Sequence, residues 1–248
     1  MAETLSGKVA IVTGGGRGIG RAIAVALGRQ GASVVVNYAG NDAAANETVA
    51  KIEAAGSRAL AVKRKLDGEP PVRALFNATL AAFGRVDILI NNAAIARFGP
   101  ITTVTEAEFD ATFAVNAKAA FFALQQAALH MSDGGRIVNI SAALTATGYD
   151  NTALYAGTKG ALEQFGKAAA KELGKRGIVI NSVCPGATET ELYVGLSTDA
   201  GRAAAAQRSP FGRIATPEDI ADAVVLFCGH EARWLSGQTI RANGAALF

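Results

Sequence analysis

Tyr155 and Lys159 stand four residues apart in the segment LYAGTKGALEQF. On a helix that spacing places both side chains on one face. A free phenol has a pKa of about 10, poorly matched to neutral pH, and a nearby ammonium lowers it by stabilising the phenolate. Such a pair can pass a proton to or from a substrate oxygen. Taken alone it is also what an ordinary exposed helix presents, so its meaning depends on the elements that position it.

A second chemical feature lies near the start of the chain, where residues 13–20 read TGGGRGIG. Gly14, Gly18 and Gly20 let the backbone turn tightly and approach a pyrophosphate. The helix beginning beyond them offers free N–H groups and the positive end of its dipole. A glycine triplet is weak by itself and also serves in turns used only for packing. Here it follows an apolar β-branched run at 8–15 and precedes a stretch, 17–30, with apolar residues every three or four positions. Strand, glycine loop, helix is the context that gives the motif its phosphate-binding meaning.

The same alternation runs through the chain. Short apolar runs at 32–38, 58–66, 86–94, 135–141, 178–185 and 237–243 read as further strands. Helical periodicity covers 41–56, 70–84, 106–131, about 152–175 and 216–229. Strands alternating with helices imply parallel βαβ units, and continuously apolar strands imply a sheet covered on both faces. The expected architecture is α/β: one doubly wound domain spanning 1–248, with a parallel seven-stranded sheet and helices on both faces. No linker, repeat or low-complexity tract divides it.

Bulk properties narrow the function class. Half of the 248 residues are hydrophobic, 18% are charged and the formal charge is +3, so a sizeable core forms. The densest basic run, Lys63-Arg64-Lys65, is too short for a nucleic-acid stripe. Cys184 and Cys228 have no metal-ligand spacing with each other or with His130 and His230, and read as reduced, packed thiols. No apolar stretch approaches the ~20 residues of a membrane span, and the first residues lack a signal-peptide pattern. A cytoplasmic protein with no nucleic-acid, membrane or metal partner is the expectation.

The TGxxxGxG spacing of the glycine loop resembles that of the short-chain dehydrogenase/reductase family. Further motifs agree: NNAA at 91–94, FAVN at 113–116, the Tyr155–Lys159 pair, Pro185-Gly186 and Thr188. All stand in the family's order, over nearly the whole chain. The resemblance implies a Rossmann-type fold and hydride transfer between a nicotinamide and a ketone or alcohol. It implies Tyr155 as general acid in reduction, and Lys159 lowering its pKa and binding the nicotinamide ribose. Asn116 would hold a water linking Lys159 to a proton relay. The cofactor would be held by Gly14, Arg17, Gly18, Ile19, Gly20, Asn37, Asn91, Ala93, Tyr155, Lys159, Pro185, Gly186 and Thr188.

An acidic residue closing the second strand selects the ribose diol of NAD, whereas a nearby arginine accommodates a 2′-phosphate. That strand here ends with neutral Asn37, and Arg17 sits in the glycine loop. NADP(H) is therefore preferred, with NAD(H) open. Lys65 stands where many relatives carry an aspartate that contacts the adenine.

Relatives also carry a serine thirteen residues before the tyrosine, hydrogen-bonded to the substrate oxygen. That position is Ala142, and the serine, Ser141, comes one residue earlier. Neighbouring side chains at a strand end point to opposite faces. Ser141 thus faces away from substrate unless the chain bulges. Three readings stay open: Ser141 serves through local distortion, another donor such as Thr145, Tyr149 or Asn91 covers the role, or turnover is attenuated. In the last case the chain could be a nucleotide-binding regulatory or scaffold protein.

Residues 187–213 form the least regular stretch and, by resemblance, the substrate lid. Leu192, Tyr193 and Leu196, with Ile95, Phe98 and Tyr149, are candidates for the pocket wall. Arg97 is either solvated or a contact for an anionic substrate. The helices at 106–131 and 152–175 resemble those that pair subunits in the family, implying a homotetramer or dimer. The expected substrate is a small carbonyl or alcohol compound.

Overall fold

The computed structural model describes residues 5–246. The seven strands are β1 (Val9–Val12), β2 (Ser33–Tyr38), β3 (Ala59–Lys63), β4 (Ile88–Asn91), β5 (Arg136–Ile140), β6 (Val179–Pro185) and β7 (Thr239–Ala242). They form one sheet in the order β3-β2-β1-β4-β5-β6-β7, every pair parallel. Around it lie α1 (Gly18–Arg29), α2 (Asp42–Ala54), α3 (Glu69–Phe83), α4 (Glu106–Phe113), α5 (Ala119–His130), α6 (Leu144–Thr147), α7 (Ala153–Leu173), α8 (Glu191–Leu196), α9 (Asp199–Arg208) and α10 (Pro217–Cys228).

Strand residues alternate between two cores. Ala10, Val12, Val34 and Val36 pack with Ile23 and Leu27 of α1 and with Ile220 and Val224 of α10. Ile11, Val35 and Leu89 point the other way, toward Phe76 of α3 and Ala123 and Leu124 of α5. Burial on both faces is why the strands read as unbroken apolar runs. Local signals set the helix limits. Prolines occupy the first turn of α3 and left-handed Gly84 ends it. Capping boxes, Thr105 with Glu108 and Thr216 with Asp219, start α4 and α10.

The chain leaves β1 toward β2 on one side, and β4 lies on the other. This is the point where strand order reverses, and the crevice beyond the carboxyl ends of the strands opens there. The glycine loop, Asn91 and the end of β5 all border it.

Two elements differ from the sequence expectation. The helix anticipated over 106–131 is broken by a π-helical turn, Ala114–Lys118, between α4 and α5. Asn116 lies in that turn, and its side chain binds a neighbouring backbone in place of leaving the ladder regular. Within 187–213, the least regular stretch of the sequence, the alanine-rich run at 201–208 reads as helical and lies in α9, whereas α8 is not anticipated. Each starts at a threonine, Thr190 and Thr198, whose hydroxyl caps it. No helix among the described residues is long and apolar enough to cross a membrane.

Candidate active site

Backbone geometry shows why the first βα turn needs its glycines. Gly14 and Gly18 have φ of +64° and +53°, a region that penalises side chains. A Cβ on Gly20 would lie 2.2 Å from the Gly14 carbonyl oxygen, and one on Gly14 would lie 3.0 Å from Ala93 Cα. The loop is nested against the end of β4 and tied there by Thr13 and Asn92. Thr13 Oγ1 accepts from the Asn92 and Ala93 N–H groups at 2.9 and 3.0 Å. Asn92 Nδ2 donates to the carbonyls of Thr13 and Gly14 at 2.8 and 3.2 Å. From the other side, Arg21 and Thr48 donate to the Gly16 carbonyl. No side chain caps the N-terminus of α1, so its first N–H groups stay available, with Ile19 packed on the core behind them.

Asn37 does not project into the crevice as a ribose contact would. It is buried, with Nδ2 donating to the carbonyls of Val62 and Arg64 and Oδ1 accepting from Gly14 N–H at 3.4 Å. Its amide joins β2, β3 and the glycine loop. Arg17 is largely exposed, 3.3 Å from Glu191 at the start of α8. Such exposed pairs are worth only about 0–1 kcal/mol, so the guanidinium is readily redirected. Lys65 is exposed and lies 3.6 Å from Asp67.

The proton-transfer candidates meet on α7. Lys159 is buried, and its Nζ donates to the Ile140 carbonyl at 2.7 Å while lying 5.7 Å from the centre of the Tyr155 ring. Tyr155 is half-buried, with Phe98 edge-on at 5.3 Å. Burial pushes the phenol up to about 12 and draws the lysine down to about 8. The anticipated lowering of the phenol by the ammonium is therefore outweighed in this state. The nitrogen is engaged by a carbonyl, and desolvation of a phenolate costs more than the distant charge returns.

Asn116 sits behind the pair. Its Oδ1 accepts from Ile95 N–H at 2.9 Å, and its Nδ2 donates to the Ile95 carbonyl at 2.9 Å and to Thr158 Oγ1 at 3.1 Å. Thr158 donates in turn to the Tyr155 carbonyl at 2.7 Å. A cavity of about 10 Å³, lined by Thr13, Asn91, Ala93, Asn116 and Leu162 among others, has room for about one water.

Ser141 is not part of this group. Its Oγ donates to Glu163 Oε1 at 2.5 Å and lies 3.3 Å from the Lys159 carbonyl, in the interior between β5 and α7. The strand does not bulge: Ser141 N–H and Ala143 N–H bond successively to Val183 and Pro185 of β6. Strand alternation thus removes Ser141 from the candidate catalytic set. Two of the proposed substitutes are also occupied. Thr145 Oγ1 lies 2.7 Å from Glu163 Oε1 and 2.9 Å from the Ala142 carbonyl, and Asn91 Nδ2 donates to Asn139 Oδ1 at 2.9 Å. Tyr149 stays half-exposed, with Arg208 of α9 3.4 Å from its hydroxyl.

The far wall comes from the end of β6. Pro185 closes that strand, and Gly186 follows where a Cβ would lie 2.9 Å from Asn243 Cβ. Thr188 is buried and donates to the Gly186 carbonyl at 3.0 Å. Ile95, Phe98, Tyr149, Leu192 and Leu196 expose apolar surface, and Tyr193 is half-buried. Arg97 is bound to Glu108 at 2.7 Å, which argues against a free cation waiting for an anionic substrate.

Sequence reasoning missed Thr13, Asn92, Thr158 and Glu163. Glu163 carried a usable signal, an acid four residues beyond Lys159 on the same helix face. The others act through backbone groups, which side-chain patterns do not reveal.

Comparison with known proteins supplies the remaining identification. Residues 14–244 match the family described as enoyl-(acyl carrier protein) reductase. A hydroxynaphthalene reductase-like protein, Arp2 of Metarhizium brunneum, is 39% identical over 258 residues, covering 99% of this chain and 97% of its own. The solved structure of LugOII, a promiscuous reductase catalysing keto-reduction at C1 in lugdunomycin biosynthesis, superposes with a TM-score of 0.93 at 43% identity, covering 99% of this chain and 100% of its own. The angucycline C-6 ketoreductase LanV, solved with bound NADP, gives 0.94 at 42% identity, covering 100% and 98%. With this fold, this glycine loop and this Tyr–Lys helix, the chain belongs to the short-chain dehydrogenase/reductase family of oxidoreductases.

Proposed function

We propose that the protein is an NADP(H)-dependent ketoreductase of apolar, ring-bearing ketones, with Tyr155 as proton donor. The observation that carries this reading is the Tyr155 phenol, half-buried beneath Phe98, with the Lys159 ammonium beside it at the mouth of the strand-end crevice. The residues present fit a dinucleotide. The N-terminus of α1 is uncapped, and the loop before it lies where a single Cβ on Gly20 would collide with backbone. Gly14, Gly18, Ile19 and Gly20 would hold the pyrophosphate. Asn91, Ala93, Pro185, Gly186 and Thr188 would frame the nicotinamide end. NADP(H) is supported by exposed Arg17, by the lack of an acid at Asn37, and by the NADP bound to LanV.

Bound NADPH supplies a hydride for the carbonyl carbon. The protein handles the proton. With its pKa near 12, the phenol is protonated throughout the neutral range, the form that a donor needs. As Tyr155 gives its proton to the substrate oxygen, the Lys159 ammonium stabilises the phenolate left behind. Asn116, whose two amide hydrogens are taken by Ile95 and Thr158, would hold through its Oδ1 a water in the adjoining cavity through which a proton returns. Ala142 places a methyl where relatives have a hydroxyl, so one donor to the substrate oxygen is missing. Loss of such a donor costs about 2.7–4 kcal/mol, a slowing of roughly 10²–10³. This favours attenuated turnover over none.

Apolar side chains around the mouth, the angucycline C-6 ketoreductase activity named for LanV and the hydroxynaphthalene reductase-like name of Arp2 support a ring ketone. Assembly into a homo-oligomer through the α4–α5 and α7 faces belongs to the same reading. The test is consumption of NADPH and of NADH with a panel of cyclic and aromatic ketones. NADPH turnover that exceeds NADH turnover supports the proposal. Absence of turnover with any ketone, or preference for NADH, contradicts it.

A further inference from the structure

Glu163 is buried, and the proton-transfer scheme makes no use of it. Its Oε1 accepts from Ser141 Oγ at 2.5 Å and from Thr145 Oγ1 at 2.7 Å, and lies 3.5 Å from Cys184 Sγ. These groups come from the end of β5, from α6 and from β6. A buried carboxylate is costly unless donors compensate it, so the cluster stands out from ordinary core packing. Burial first, then the nearby carboxylate, pushes the Cys184 thiol up to about 12, so the sulfur stays protonated and able to donate.

The geometry points to Glu163 as a positioning residue: by anchoring Ser141 it fixes the Ile140 carbonyl on which the Lys159 ammonium rests. Ile140 and Ser141 share one peptide unit, and the Lys159 Nζ bond to Ile140 O is 2.7 Å. Ser141 Oγ also reaches the Lys159 carbonyl at 3.3 Å. The end of β5 is thereby held to α7 at both the backbone and the tip of the lysine. Without the carboxylate, the Ser141 hydroxyl loses its short acceptor, and the peptide keeps only its N–H bond to the Val183 carbonyl at 2.8 Å, about which it can tilt. The Ile140 carbonyl then shifts, and with it the ammonium that it holds beside the phenol. This assigns a purpose to the serine that sits one residue away from the family's substrate contact. The inference rests on the reading of Tyr155 and Lys159 as the proton-transfer pair.

The experiment compares Glu163→Leu, Glu163→Gln, Ser141→Ala and the Ser141→Ala/Glu163→Leu double variant with wild type. The substrate is the ketone reduced fastest in the panel above, and active sites are counted by NADPH binding. Glu163→Leu lowers kcat about tenfold, with KM and the NADPH Kd within about twofold of wild type. Glu163→Gln keeps a carbonyl acceptor for Ser141 and stays within about threefold. Ser141→Ala lowers kcat in the same direction, and the double variant is no slower than Glu163→Leu, because both act through one contact. Unchanged kcat in Glu163→Leu, equal losses in Leu and Gln, or a loss confined to melting temperature overturns the assignment. If Glu163→Leu fails to fold, unchanged kcat in both Ser141→Ala and Glu163→Gln overturns it. Tyr155→Phe separates the two levels. If it is inactive while Glu163→Leu turns over normally, only this inference falls. If it turns over like wild type, or wild type shows no turnover, the underlying site reading falls and takes this inference with it.

Discussion

At the scale of single residues, the account rests on two groups displaced by burial in opposite senses. The free-enzyme profile of kcat/KM reports these ionisations. The phenol is protonated below about 12, so it is a competent donor at all ordinary pH. The lysine is a cation only below about 8, and its charge is what stabilises the phenolate left behind. Ketone reduction is therefore expected to be steady below about pH 8 and to fall above it. A profile that rises through that region contradicts the assignment. Ala142→Ser should raise kcat by up to about 10²–10³ by restoring a donor to the substrate oxygen. Unchanged kcat would show that another group already covers the role. The residues of this pair were legible from spacing, because helix geometry fixes which side chains share a face. The inward orientation of Ser141 followed from strand alternation, though its partner Glu163 did not, and Asn37 was read less well. Whether a polar side chain faces a crevice or the interior is set by which neighbouring backbone groups need a partner. For Asn37 those are carbonyls of Val62 and Arg64, distant in sequence.

At the scale of elements, every strand and every long helix except one was visible in apolar periodicity. The exception is instructive. The run over 106–131 keeps helical character throughout, yet the chain inserts a π turn at Ala114–Lys118. Nothing in side-chain periodicity marks it; Asn116, within the turn, binds the Ile95 backbone across space. In the lid, α9 was legible from the alanine-rich run at 201–208, whereas α8 was hidden because it is short and buries none of its residues, so it carries no apolar stripe. The glycine loop gives the sharpest element-scale prediction. Gly20→Ala places a methyl within 2.2 Å of the Gly14 carbonyl, so the loop must shift. A destabilisation of about 1–3 kcal/mol in denaturant titration and a clear loss of NADPH affinity are expected. A variant with unchanged stability and affinity would show that the loop is not held as tightly as described.

At the scale of the molecule, two sets of large apolar side chains stay exposed among the described residues. Phe109, Phe121 and Leu129 lie on α4 and α5, and Leu226, Trp234 and Ile240 lie on and around α10 and the edge strand β7. Trp234 is 94% exposed, unusual for so large an apolar group on a lone subunit. Light scattering is expected to show a homo-oligomer, and Phe121→Asp to reduce its mass. A monomeric wild type would contradict this part of the reading. The order of the strands was read from the structure; the parallel, doubly wound character of the sheet was legible because strands alternate with helices. Assembly was not, since one chain's periodicity records only that a surface is apolar.

The central claim is that Tyr155 delivers the proton that completes hydride transfer. Its most direct test is the single-turnover rate of ketone reduction by NADPH-loaded Tyr155→Phe, which keeps the ring packed on Phe98 and removes only the hydroxyl. The account predicts NADPH affinity within about threefold of wild type and a rate lower by about 10²–10⁴. A rate close to that of wild type, at equal cofactor occupancy, would contradict it.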